Sequence, residues 1–149
     1  ALSSELSRQG VEFIEQPLAS ENKDAQDRLF HESVLPLVAD ESCVAERDVM
    51  QCVGSFHGVN IKLSKCGGLT PARRMINLAR DHGLKVMVGC MTESSVGISA
   101  AAQLAPLIDY ADLDGAVLLA EDTANGVKLD RGSLIYPDLP GCGIYDFKG

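Results

Sequence analysis

The residues best placed to do chemistry are charged groups that close apolar segments. Glu15 sits near the end of "VEFIEQP" (11–17), Asp40 and Glu41 near the end of "LPLVADES" (35–42), and Lys62 and Lys65 in "VNIKLSK" (59–65). Glu93 follows in "LKVMVGCMTES" (84–94), and Asp112 and Asp114 lie in "IDYADLD" (108–114). Any one of them could be a solvated loop charge; five successive segments ending this way make a pattern. Glu15 and Asp40 are hard oxygen donors, and such a pair suits Mg2+, which keeps several waters and takes few protein ligands. A lysine in an otherwise apolar strand is costly unless acidic neighbours compensate its charge. Desolvation and nearby cations can lower the pKa of Lys62 toward the range where it can take up a proton. Lys65, three residues on, is expected in a loop or a salt bridge. Asp112 and Asp114, two residues apart on a strand, would share a face and form an anionic pair ready for a cation such as an amine.

These groups need elements to hold them. Val59, Ile61 and Leu63 alternate with Asn60, Lys62 and Ser64, the period of a strand with one apolar face. Helical patterns follow each strand: around 25–33, around 45–53, from Thr70 to His82 with Pro71 in its first turn and Gly83 just past its end, and over "SSVGISAAAQLA" (94–105). Strand–helix alternation at this rhythm predicts an α/β fold with a parallel sheet and right-handed crossovers. An open doubly wound sheet and a closed (β/α) barrel both satisfy it. No glycine-rich phosphate fingerprint follows any strand, since "KCGGL" lacks the GxGxxG spacing, which weighs against the nucleotide-binding sheet. In a barrel, polar groups at the C-terminal strand ends converge on one face. There Val59 and Ile61 face the helices, and Lys62 points into the interior toward the acidic ends. Beyond the fifth strand, "NGVKLDRGSLIYP" reads as a hairpin followed by a Pro/Gly-rich tail.

Asp112, Asp114, Gly115 and Glu121 also match positions 3, 5, 6 and 12 of a calcium-binding loop, but position 1 would be Tyr110, and "AVLLA" between them reads as strand. The chain's 149 residues are 46% hydrophobic and 23% charged, ordinary for a globular domain. A net charge of -8 argues against nucleic acid or an anionic membrane as partner. No apolar run approaches the roughly 20 residues of a membrane span, and the first ten residues read as a helix end rather than a leader. Five cysteines without CxxC spacing suit reduced thiols in a cytoplasm.

The segments "IEQP", "ADES" (with Asp40 25 residues after Glu15), "NIKLSKCGG", "VGCMTES" and "DLD" together resemble the enolase superfamily, its muconate-lactonizing subgroup and, within it, the dipeptide epimerases typified by L-Ala-D/L-Glu epimerase. The resemblance runs from Val11 to Ile144. It implies a modified TIM-type (β/α) barrel of which residues 1–149 are the C-terminal part. It implies Mg2+ as cofactor, with Glu15 and Asp40 as two of three ligands, and Lys62 as one of two acid/base lysines flanking the substrate α-carbon. Asp112 and Asp114 would bind the α-ammonium of a dipeptide, and Cys90, Met91 and Thr92 would border its side chain. The activity implied is epimerisation by 1,1-proton transfer through an enediolate, in the cytoplasm. The family's upstream lysine pair, first metal-ligand aspartate and capping domain fall outside the sequence, and about 250 residues are usual for a barrel. The missing N-terminal half of the barrel is therefore expected as a partner, a homo-oligomer is expected, and this portion is not expected to be active alone. The alternatives are a cycloisomerase, an o-succinylbenzoate synthase or an N-acylamino acid racemase of the same subgroup, or a non-catalytic half-barrel that serves interaction. The DxD element favours the dipeptide.

Overall fold

A computed structural model describes residues 2–148. Helix α1 (Leu2–Arg8) leads into strand β1 (Ile14–Glu15), and strands then alternate with helices: α2 (Lys23–Glu32), β2 (Leu37–Ala39), α3 (Glu46–Cys52), β3 (Gly58–Lys62). The short α4 (Leu63–Cys66) and the long α5 (Leu69–Asp81) precede β4 (Lys85–Gly89), α6 (Ser95–Ala102) and β5 (Tyr110–Ala111). The five strands are parallel and stand in the sheet in chain order, β1-β2-β3-β4-β5. A doubly wound sheet must reverse its order at a switch point. This one never reverses, so successive right-handed crossovers put the helices that connect the strands on the same side and leave the other side as a barrel interior.

The helical side is the main core. In α5 the buried residues Ala72, Met75, Ile76 and Ala79 fall at i, i+3, i+4 and i+7, a single apolar stripe. They pack with Leu37 and Ala39 of β2, Val59 and Ile61 of β3, and Val86 and Val88 of β4. Residues of opposite parity face inward, and they are mixed in character: Phe13, Glu15, Val38, Asn60, Lys62, Met87 and Tyr110. The curl of the sheet shows in the rings of Phe13, beside β1, and Tyr110 of β5, whose centroids are 4.7 Å apart. Flat strands four places apart would be separated by roughly 19 Å. The architecture is a curled half-barrel.

Several expected boundaries differ. The third strand, expected over 59–65, stops at Lys62, because the chain coils into α4. The fifth, expected over 108–114, pairs only at Tyr110 and Ala111. Asp112 and Asp114 thus lie beyond the strand, and the apolar "AVLLA" that read as strand-like begins a 3-10 turn over Gly115–Leu118. Alternation of apolar residues cannot tell a strand from a tight turn over so few residues. The hairpin is present as β6 (Lys128–Asp130) and β7 (Ser133–Ile135), joined through Arg131 and Gly132, both at positive φ as a two-residue hairpin turn requires. Among the described residues, no helix is long and apolar enough to cross a membrane.

Candidate active site at the strand ends

Asp40 is the most buried acid of the inner rim, 6% exposed. Its backbone is held by Gln16, whose Oε1 accepts from the amides of Asp40 (2.9 Å) and Ser42 (3.1 Å). The Gln16 Nε2 donates to the Leu18 carbonyl and the Ser42 hydroxyl, so one side chain ties the loop after β1 to the loop after β2. Gln16 does this at φ 35, a conformation that L-residues adopt at some cost and that surrounding contacts must hold in place.

Both carboxylate oxygens of Asp40 are engaged by ammonium groups. Lys62 Nζ donates to Oδ2 at 2.6 Å and Lys65 Nζ to Oδ1 at 2.7 Å. Lys62 reaches it from the inward face at the end of β3; Lys65 reaches it from α4, one turn later. Burial works against ionising Asp40, but hydrogen bonds and charge from the two lysines outweigh it and hold the carboxyl below its usual range. The same balance acts on Lys62. Burial would lower its pKa, yet the bond to Asp40, with the charges of Asp40, Glu15 and Glu41, leaves it above the ordinary lysine value. The expectation of a lowered Lys62 pKa is therefore corrected: in this state the nearest charge is a carboxylate, not a cation.

Glu15 sits exposed at the end of β1, and its Oε1 accepts from Asn60 Nδ2 at 2.6 Å across the inner face of β2. Glu15 and Asp40 are the two hard oxygen donors that could take a small divalent cation. Across the rim, Asp112 and Asp114 bring one oxygen each within 4.8 Å of the other and of Cys90 Sγ. Gly115 makes this approach possible: its N–H points at Cys90 Sγ (3.3 Å), and a Cβ there would lie 2.0 Å from the Met91 carbonyl oxygen. Burial and then the charge of Asp114 raise the pKa of Asp112, while Lys62 pulls it down. Burial, with those two aspartates, likewise pushes the Cys90 thiol up. Met91 and Thr92 are exposed on the loop after Cys90, where the Met91 amide donates to Glu93 Oε1 at 3.0 Å.

The structure therefore brings Glu15, Asp40, Lys62, Asp112, Asp114 and Cys90 to one end of the sheet. It adds two residues that the sequence reading passed over. Asn60 shares its inward parity with Lys62, which was signal enough to notice it. Gln16 has only its place beside Glu15, and nothing in its type or spacing announces the clamp.

Residues 1–145 match the family described as enolase C-terminal domain-like. An L-Ala-D/L-amino acid epimerase from Flavobacterium johnsoniae is 56% identical over 142 residues, which cover 95% of this chain and 42% of that protein. The substrate-liganded L-Ala-D/L-Glu epimerase from Bacillus subtilis superposes with a TM-score of 0.88 at 29% identity, over 97% of this chain and 43% of that one. A dipeptide epimerase from Methylococcus capsulatus, complexed with Mg and the dipeptide L-Arg-D-Lys, gives 0.86 at 37% identity, with coverage of 97% and 43%. The chain thus spans less than half the length of the relatives it matches.

Proposed function

The chain belongs to the enolase C-terminal domain-like family, and from that premise we propose that it supplies one side of the active site of a Mg2+-dependent dipeptide epimerase. The observation that carries this reading is Lys62 Nζ on the inner face, 2.6 Å from Asp40, with the anionic pair Asp112 and Asp114 on the same rim. Likeness to a Mg- and dipeptide-bound relative supports it.

The residues present fit the metal. Asp40 already holds two positive charges in this structure, both ammonium groups, at a place where a dication would find the same oxygens. Glu15 adds a second hard carboxylate, and further ligands would come from the rest of the barrel and from water. Bound there, Mg2+ would supply positive charge against the substrate carboxylate and lower the cost of the enediolate.

Lys62 removes or returns the α-proton on one face of the carbon, and the base for the other face lies outside these residues. Were Asp40 engaged by a dication instead of by Lys62, the lysine would lose the carboxylate that now holds its pKa up and would be freer to act as a base. Asp112 and Asp114 receive the substrate's α-ammonium, which relieves their mutual repulsion. Cys90, Met91 and Thr92 border the side chain of the residue that epimerises.

The test is Lys62→Ala in the full-length protein that carries this chain. Epimerisation of L-Ala-L-Glu should vanish, while solvent deuterium exchange persists at one epimer through the base on the other face. Wild-type epimerisation in this variant would sink the proposal.

A further inference from the structure

We infer that Asn60 is a positioning residue for the Glu15 carboxylate, and that Gly89 is glycine in order to admit it; the inference rests on Glu15 being a metal ligand. Asn60 is 2% exposed on the inner face of β3, yet its one side-chain partner, Glu15, lies two strands away on β1. An ionised carboxylate only accepts, so the amide nitrogen must be the atom that faces it, and the orientation of the amide is thereby fixed. The contact is short, 2.6 Å from Nδ2 to Oε1. It restrains an otherwise exposed glutamate and occupies one of its two oxygens, leaving Oε2 for another ligand.

The remaining half of the amide argues against a purely structural role. Asn60 Oδ1 is buried and has no hydrogen-bond partner among the described residues. A buried acceptor left unmade is a penalty that an apolar side chain of the same size would avoid. Asparagine at this position therefore needs a compensating contact, and the bond to Glu15 is the one present.

Gly89 completes the arrangement. A Cβ on Gly89 would lie 2.7 Å from Asn60 Oδ1, 2.8 Å from Nδ2 and 3.1 Å from Cγ. Gly89 is not among the glycines at positive φ, so its backbone would accept any residue. What excludes a side chain is the Asn60 amide lying against it. β3 and β4 thus shape a slot for one amide, and that amide reaches across β2 to one carboxylate.

The experiment measures Mg2+ affinity by calorimetry, and unfolding midpoints in chelator, on full-length protein carrying Asn60→Leu, Asn60→Ala, Gly89→Ala, the Asn60→Ala/Gly89→Ala double variant, or Glu15→Gln. Loss of an outer partner of a metal ligand commonly costs 10–100-fold in metal affinity. Each Asn60 variant should lose about tenfold in Mg2+ affinity without a lower midpoint in chelator, and most of its turnover should return at saturating Mg2+. Gly89→Ala should lose affinity alike, with a lower midpoint from the clash, and the double variant should be no worse in affinity than either single one, because both disturb the same contact. Asn60→Ala introduces no clash and decides the matter if Asn60→Leu fails to fold. Wild-type affinity in Asn60→Ala, beside abolished binding in Glu15→Gln, would overturn the inference and leave the metal reading standing. Wild-type affinity in Glu15→Gln would remove the metal reading and this inference with it. A midpoint lowered in chelator with affinity unchanged would make Asn60 structural only.

Discussion

Two acidic regions stand at the same end of the sheet and are balanced in opposite ways. Asp40, at the end of β2, is buried, and both its oxygens are engaged by lysines of the same chain. Asp112 and Asp114, past the end of β5, are exposed and close to one another, with a neutral thiol as neighbour. In the first region the positive charge is internal. In the second, burial and the charge of Asp114 leave Asp112 reluctant to ionise, and the charge of Lys62 offsets only part of this. A carboxylate that the protein compensates itself adds to stability, whereas a like-charged pair with little compensation subtracts from it.

The largest test of this contrast removes the internal acid. Asp40→Ala strands two nearly buried ammonium groups, whose side chains are 13% and 22% exposed. In metal-free protein it should cost about 3 kcal/mol of stability, the usual penalty for breaking a buried pair from one side. Urea unfolding in chelator measures it, and a cost below half a kcal/mol would mean that the lysines find other partners.

The pH dependence sharpens the contrast, because the carboxylates Asp40 and Asp112 are shifted in opposite directions. Asp40 is held below its ordinary value of 3.8, so its contribution is present above that pH and is lost as the pH falls through the folded value. Lys62 is held above 10.5, so its contribution is present below that pH and is lost as the pH rises through the folded value. Asp112 is raised above 3.8, which makes the folded protein the tighter proton binder; stability from this group is withdrawn as the pH rises through that interval. Unfolding midpoints of metal-free protein should therefore fall in acid and in strong alkali. Asp112→Asn should gain stability at neutral pH relative to acid, whereas Asp40→Asn should flatten the acid limb. Identical profiles in the two variants would erase the distinction.

The smallest expected effect has the opposite sign from the first. Asp114→Asn removes a like charge from an exposed pair and should stabilise the free protein by about 0.5 kcal/mol, the scale of surface charge interactions. The same variant should lose most of the preference for a dipeptide with a free amine over its N-acetyl derivative. Asp114→Asn that destabilises the protein, or that keeps the full preference, would show the pair to be structural.

The strand ends were legible as the place where chemistry collects, and so were the residue types found there. Glu15 and Asp40 stood out because each closes an apolar segment, and Lys62 because it interrupts an apolar alternation, where a charge requires a compensating partner. The partners themselves were less legible. Lys65, out of phase with the strand, was read as a loop or salt-bridge residue, and the salt bridge is present, to Asp40; which acid it meets was not readable. Asp112 and Asp114 were read as strand neighbours; they converge instead through an irregular turn that Gly115 allows.

Local patterns in the sequence were enough for the order of strands and helices, the parallel pairing that intervening helices imply, and the side of β3 on which Lys62 stands. These follow from local quantities: the period of apolar residues, and the glycine and proline positions that start and stop elements. Tertiary structure decided which inward groups touch. Asp40 meets Lys62 and Lys65 across 22 and 25 residues of chain, Glu15 meets Asn60 across 45, and Phe13 beside β1 meets Tyr110 of β5 at the opposite edge of the sheet. Such meetings depend on register and on the curl of the sheet, which sum small twists over every strand. Periodicity records only which face is buried, so the identity of the charge that each buried carboxylate holds had to wait for the fold.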